Sequence, residues 1–153
     1  MSCSTCLGLR TPLQAALEVL KEQHARAVAL CRKVQTSCAL RVAETLDWRQ
    51  KCLTADDMAT LAMILQTNGL PRLRRFYLNG NRFGDAGMQA LCEGLGHGAA
   101  PSLLYLNING NKIGPAGAEA LAAALRRGAL PKLFSLNLIY NPLGNQGVAA
   151  LAP

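Results

Sequence analysis

The sequence predicts an α/β architecture: a stack of repeats in which short parallel strands line one face and helices the other, preceded by one amphipathic helix. Three observations carry this expectation. From Leu70 to Pro153 one pattern recurs every thirty residues. Leu73, Phe76, Leu78, Asn81, Phe83, Gly84, Gly87 and Leu91 return as Leu103, Leu106, Ile108, Asn111, Ile113, Gly114, Gly117 and Leu121. They return again as Leu133, Leu136, Leu138, Asn141, Leu143, Gly144, Gly147 and Leu151. Pro71, Pro101 and Pro131 open each copy at the same place. Within each copy an alternating apolar run precedes an apolar stripe at helical spacing, which reads as strand then helix.

The N-terminal segment, residues 1–39, contains the first element. Thr11-Pro12 suits a helix start, with threonine able to cap and proline favoured at the first helical position. Leu13, Leu17, Leu20, Val28, Cys31, Val34 and Cys38 then form one stripe, bridged by His24 and Ala27, on a helix running to about Gln35. His24, Cys31 and Cys38 are expected in its core. Such a helix is expected to cover the end of the repeat stack, which would otherwise show its core to water. A helix of this kind can also lie on a membrane or a partner helix.

Residues 40–153 form the repeats: 40–69, 70–99, 100–129 and a shortened 130–153. The first is degenerate but in phase, with Leu46 under Phe76, Trp48 under Leu78, Leu53 under Phe83 and Leu61 under Leu91. Lys51 stands in place of the repeated asparagine and Asp57 in place of a glycine. Atypical terminal repeats are expected where stacking is one-sided. In the third repeat, Leu106-Asn107-Ile108 is the strand, and Ala116, Ala120, Leu121, Ala124 and Leu125 give the helix. Asp85, Pro115 and Asn145 share one position near each helix start, while Gly98 and Gly128 follow helix ends. Strand–helix alternation with short links implies parallel strands. One repeat alone buries too little apolar surface to offset the entropy of ordering it, so the copies must stack.

Asn81, Asn111 and Asn141 each follow a strand by three residues. An amide offers both donors and an acceptor, so these three are expected to be structural, bonding the turns of adjacent layers. Gly84, Gly114 and Gly144 suit a positive φ or a close approach, and Gly87, Gly117 and Gly147 suit a helix lying close to its strand.

The pattern Leu-x-x-Leu-x-Leu-x-x-Asn-x-Ile/Leu-Gly-x-x-Gly, closely kept over Leu70–Pro153 and loosely over Leu40–Gly69, resembles the leucine-rich repeat. Its thirty-residue length with a full helix is similar to the ribonuclease-inhibitor subtype, found also in NOD-like immune receptors and Ran GTPase-activating proteins. The resemblance implies a curved, horseshoe-like solenoid with strands on the concave face, used for protein–protein contact.

On that face the positions between the leucines vary. The candidate partner-binding residues are Asp47, Arg49, Arg75, Tyr77, Asn79, Tyr105, Asn107, Asn109, Ser135, Asn137, Ile139 and Tyr140. Tyrosine and arginine are enriched among interface hot spots, which singles out Tyr77, Tyr105, Tyr140 and Arg75. Tyr77 and Tyr105 are expected to lie near each other at the patch centre.

Composition narrows the function. Half the residues are hydrophobic, which excludes a disordered chain. The net charge of +7 divides between the first 51 residues, with eight Lys/Arg and four Asp/Glu, and the remainder, with eight and five. A basic balance favours acidic partners, but no aromatic-basic RNA motif or helix-turn-helix accompanies it, so nucleic acid is disfavoured. The six cysteines come without a secretory signal or an apolar run of membrane-spanning length, so reduced thiols, a cytoplasmic location and no membrane partner are expected. Cys3-x-x-Cys6 lacks a second ligand pair for zinc, and no nucleophile has an obvious base in His24 or His97 with an acidic orienter, so a catalytic triad is not expected. Gly94-Leu95-Gly96-His97-Gly98 falls at a helix end, the wrong end for a phosphate. Neither cofactor nor enzymatic activity is expected.

The leading function is therefore a non-catalytic interaction module that binds a protein on its concave face. A regulatory piece of a GTPase-activating or NOD-like protein, and a membrane-surface protein held by the basic helix, are the rivals. The last repeat stops at Leu151-Ala152-Pro153 without a capping repeat. The chain is thus expected to belong to a longer solenoid or to self-associate through this end.

Overall fold

The computed structural model describes residues 12–37 and 39–153, apart from the side chain of His97. Cys3, Cys6 and Cys38, considered above as metal or core residues, lie outside the described residues. Helix α1 (Pro12–Lys33) is followed by a short 3-10 turn (Leu40–Val42) and then by four strand–helix pairs. These are β1 (Thr45–Asp47) with α2 (Ala55–Thr67), β2 (Arg75–Tyr77) with α3 (Gly84–Gly94), β3 (Tyr105–Asn107) with α4 (Pro115–Arg126), and β4 (Ser135–Asn137) with α5 (Gly144–Leu151).

The strands form one parallel sheet in sequence order. Its register follows the thirty-residue period without slippage: Thr45, Arg75, Tyr105 and Ser135 share one row, and Asp47, Tyr77, Asn107 and Asn137 another. Between these rows, Leu46, Phe76 and Leu106 turn inward and are buried. Each layer adds equivalent core residues: Trp48, Leu78 and Ile108 beside the sheet, then Leu53, Phe83 and Ile113, then Leu61, Leu91 and Leu121 on the helices, all buried. The fourth layer differs because no described residue packs beyond it. Leu136, Leu138, Leu143 and Leu151 are only partly buried, and Val148 is exposed.

The asparagines knit the layers. Asn111 Oδ1 accepts the backbone N–H of Asn81 at 2.8 Å and of Arg82 at 3.1 Å, and its Nδ2 donates to the Leu78 carbonyl at 3.0 Å. Asn81 does the same one layer earlier, accepting from Lys51 and Leu53 and donating to Trp48 and Leu78. Asn141 accepts from Asn111 and Ile113. Each amide thus closes the turn of the preceding repeat. Lys51 can replace asparagine because the segment before it is not a repeat; its Nζ reaches Gln35 instead.

A second stitch runs the other way. Asp85, in the first turn of α3, accepts the backbone N–H groups of Gly114 and Gly117 at 2.6 and 2.9 Å. A carboxylate from one repeat therefore caps the helix of the next. Gly114 and Gly117 are explained by this contact. Gly84 and Gly144 have positive φ, but Gly114 has φ −96°; a Cβ there would lie 2.9 Å from Asp85 Oδ2. A Cβ on Gly117 would lie 2.6 Å from Asp85 Oδ1 and 2.7 Å from Ile113 Cγ2. Gly117 thus makes room for the preceding helix and its own turn, rather than for its strand as the pattern suggested.

The N-terminal helix corrects the sequence reading in part. Leu30, Cys31 and Val34 are buried against the first repeat, and the Trp48 indole N–H donates to Thr36 Oγ1 beyond the helix end. Leu13, Leu17 and Leu20, expected on the same covering stripe, are exposed, and so is His24. At 1.5 Å per residue α1 is roughly 33 Å long, and its first turns overshoot the layer they would cover. An apolar cleft of about 180 Å³, lined by His24, Ala27, Val28, Cys31, Leu40 and Ile64, lies where α1 leaves the stack.

Candidate protein-binding face

The sheet face opposite the helices is built from the outward residues of four strands and the turns that follow them. Strand alternation puts positions 45, 47, 75, 77, 105, 107, 135 and 137 outward, and the parallel register aligns them in rows. Tyr105 occupies the first row, 38% exposed, between two neighbours. The Arg75 guanidinium lies 5.6 Å from the centre of its ring. The Phe134 ring meets it edge-on, with centroids 6.1 Å apart and planes at 71°. Phe134 is itself 81% exposed. Cation–π and T-shaped contacts of this kind hold large side chains in place at low entropic cost.

Tyr77 belongs to a different cluster. Its row partners are Asp47 and Asn107, and its ring carries the Arg49 guanidinium at 5.7 Å. Tyr77 and Tyr105 lie on adjacent strands of this face as diagonal neighbours, and among the described residues no ring contact joins them. They occupy different rows, and each has an arginine from the preceding repeat over its ring. Arg49 also donates to both Asp47 carboxylate oxygens, at 2.7 and 2.6 Å. These hydrogen bonds hold the Asp47 carboxyl below its ordinary range and raise Arg49 correspondingly.

Several candidate contact residues also shape the face. Asn107 Oδ1 accepts the backbone N–H of Asn109, Asn137 Oδ1 that of Ile139, and Asp47 Oδ1 that of Arg49. Side-chain turns of this type fix the chain where it leaves the strand. Tyr77 cannot supply such an oxygen, and Asn79, two residues on, has a buried Oδ1 without a partner among the described residues. The carbonyls of Asn79, Asn109 and Ile139 all accept backbone N–H groups from the preceding turn. Ser135, Ile139 and Tyr140 are exposed at the far edge.

Tyr140 is conformationally unusual. It has φ +58°, the left-handed region, where Gly80 and Gly110 stand in the preceding copies. A tyrosine there is strained relative to glycine and 84% exposed.

Comparison with known families rests on this pattern. A family model described as a leucine-rich repeat matches residues 71–92, 99–122 and 129–152. The chain carries leucine-rich repeats between residues 71 and 152. No curated protein matches it. Leucine-rich repeats are commonly non-catalytic protein–protein interaction modules, and proteins that carry them generally bind other proteins. In this leucine-rich-repeat chain no helix among the described residues is long and apolar enough to cross a membrane. Nor do three His, Cys, Asp or Glu side chains among the described residues come together as metal ligands would. Burial pushes the Cys92 thiol up to about 12, which makes it a core residue rather than a nucleophile.

Sequence reasoning missed Phe134 because it falls at an unassigned position of the repeat, equivalent to Arg74 and Leu104. Its signal was available: an aromatic at a position where the preceding copies carry unrelated residues.

Proposed function

We propose that this protein is a cytoplasmic interaction module of the ribonuclease-inhibitor-like kind, binding a protein partner on its sheet face around Tyr105. The observation that carries the reading is the exposed aromatic pair Tyr105–Phe134, steadied by Arg75 on a rigid four-stranded frame. Hot spots combine rigid aromatic anchors with arginine in this way. Repeats of thirty residues, with α3 and α4 of 11 and 12 residues, support the subtype. The free thiols of Cys52 and Cys92 support a reducing compartment. A photo-crosslinking amino acid at Asn107, on the sheet face, should trap a protein partner in cells, and the same group at Glu119, on α4, should not. Equal trapping at both positions would remove the support for this face.

A second reading concerns the end of the stack. The half-buried leucines of the fourth layer and the exposed Val148 leave an apolar surface beside β4. We propose that it associates with another protein surface, a second copy included. Concentration-dependent sedimentation of the chain tests this, and Val148→Lys should weaken the association.

A further inference from the structure

Charge is divided unevenly between the two sides of the solenoid. Within residues 70–153 the strands and connecting turns carry six cations: Arg72, Arg74, Arg75, Arg82, Lys112 and Lys132. They carry no carboxylate. The three carboxylates of this region, Asp85, Glu93 and Glu119, all lie in helices, with Arg126 at the end of α4 and Arg127 just after it. Asp85 is occupied by two backbone N–H groups. Among the described residues the ion pairs join Lys33 to Asp57 and Arg49 to Asp47, so none of the six cations has a carboxylate within reach.

Arg82 and Lys112 occupy equivalent places in successive turns, both exposed and both in the left-handed region, at φ 68° and 59°. They form a cationic margin where the strands end, while Arg72, Arg74 and Lys132 flank the strands' beginnings. Arg75 stands between these margins, beside the Tyr105–Phe134 pair.

We infer that the partner presents an acidic protein segment to this face, its carboxylates meeting Arg75, Arg82 and Lys112 and an apolar or aromatic side chain resting against the exposed Phe134. The inference rests on the sheet-face reading above and adds the chemistry of what is bound. Charge complementarity steers such an encounter and rejects basic competitors. A protein segment fits better than a nucleic-acid strand. Single strands bind through basic grooves furnished with free aromatic platforms. Here the rings of Tyr77 and Tyr105 each already carry a guanidinium, and Tyr105 is further engaged by Phe134.

The test is fluorescence anisotropy on the full chain with three labelled probes: a peptide of alternating glutamate and tyrosine, its glutamine–tyrosine counterpart, and an oligothymidylate of the same net charge as the first. The glutamate peptide should bind at least about tenfold more tightly than the glutamine peptide, as a few exposed charge pairs would provide, and more tightly than the oligothymidylate. Arg82→Glu with Lys112→Glu should remove that preference. Arg126→Glu with Arg127→Glu changes net charge equally on the helix side and should leave it within about twofold. Equal loss in both double variants would reduce the effect to overall charge and overturn the inference. So would tighter binding of the oligothymidylate, which would indicate a nucleic-acid face, or the absence of any preference for glutamate. Trapping from Asn107 reads the sheet-face proposal separately: a trapped partner without glutamate preference removes the acidic assignment alone.

Discussion

The side-chain carbonyl of Asn111 accepts the backbone N–H of Asn81, thirty residues earlier, at 2.8 Å, inside a layer where Asn111 itself is fully buried. Its loss would strand donors that water cannot reach. Asn111→Ala should lower stability by about 1–3 kcal/mol, the usual cost of an unsatisfied buried polar group. Asn141→Ala, in the half-open last layer, should cost less. Urea denaturation of the two variants checks both the magnitude and the order.

Asp85 gives the second prediction. Asp85→Ala removes the acceptor for Gly114 and Gly117 and should destabilise the protein by about 1 kcal/mol, as other lost helix caps do. Gly94→Ala should be worse, by about 1–3 kcal/mol. A Cβ there would fall 2.4 Å from Ala62 Cα, so α2 and α3 would have to separate. Thermal unfolding should rank Gly94→Ala below Asp85→Ala, and the reverse order would contradict this account of helix packing.

The attachment of α1 should depend on acid. Burial alone pushes the Asp57 carboxyl up, but the Lys33 ammonium and the N–H and hydroxyl of Thr54 outweigh it and hold the group below 3.8. A carboxyl lowered on folding contributes stability that is full above that value and is lost as pH falls through its folded one. The near-ultraviolet signal of Trp48, bonded to Thr36 beside α1, should therefore change in strong acid. Lys33→Met should move the midpoint to higher pH, because burial then acts with less opposition. An unmoved midpoint would show that Lys33 does not govern the attachment.

Thiol chemistry should separate the cysteines. Cys52 is exposed, whereas Cys92 is buried, and that burial pushes its thiol up to about 12. Its thiolate is correspondingly scarce at neutral pH. Iodoacetamide should label Cys52 before Cys92 by mass spectrometry, with Cys92 reacting only on unfolding.

Tyr140 provides a prediction of opposite sign. Tyr140→Gly relieves a left-handed tyrosine and should raise stability by about 0.5 kcal/mol, a gain of roughly 1–2 from strain less the 0.5–1 that glycine's freedom costs. If Tyr140 also contacts the partner, the same change should weaken binding, and paired measurements of melting and affinity would show the trade.

The sheet was legible because the period is a geometric quantity. Equal spacing of Leu46, Phe76, Leu106 and Leu136 forces equal register, and the register places every outward residue in a row. The asparagine contacts were legible for the same reason, since an amide after each strand has adjacent turns to serve. What could not be read was set by side chains reaching between layers at unequal positions. Asp85 has no carboxylate counterpart at residue 115 or 145, so the repeat gives no hint that it caps a neighbour. The Thr54-x-x-Asp57 capping box was visible in sequence but lay under the expectation of a missing glycine. The apolar period of α1 correctly gave a helix, but periodicity carries no information on how much of a stripe finds something to cover it. Tyr105 was legible as a candidate contact residue, but its neighbours depend on ring orientation, which spacing does not encode.

The asparagine chain has a direction, and that direction has a consequence for synthesis. The turn around Asn81 and Arg82 receives its acceptor from Asn111, and the turn around Asn111 and Ile113 receives its own from Asn141. On a ribosome, which releases the chain from its N-terminus, each turn must wait roughly thirty residues for the amide that closes it. Maturation should therefore lag elongation by one repeat, and damage to any asparagine should register in the amide exchange of the repeat made before it.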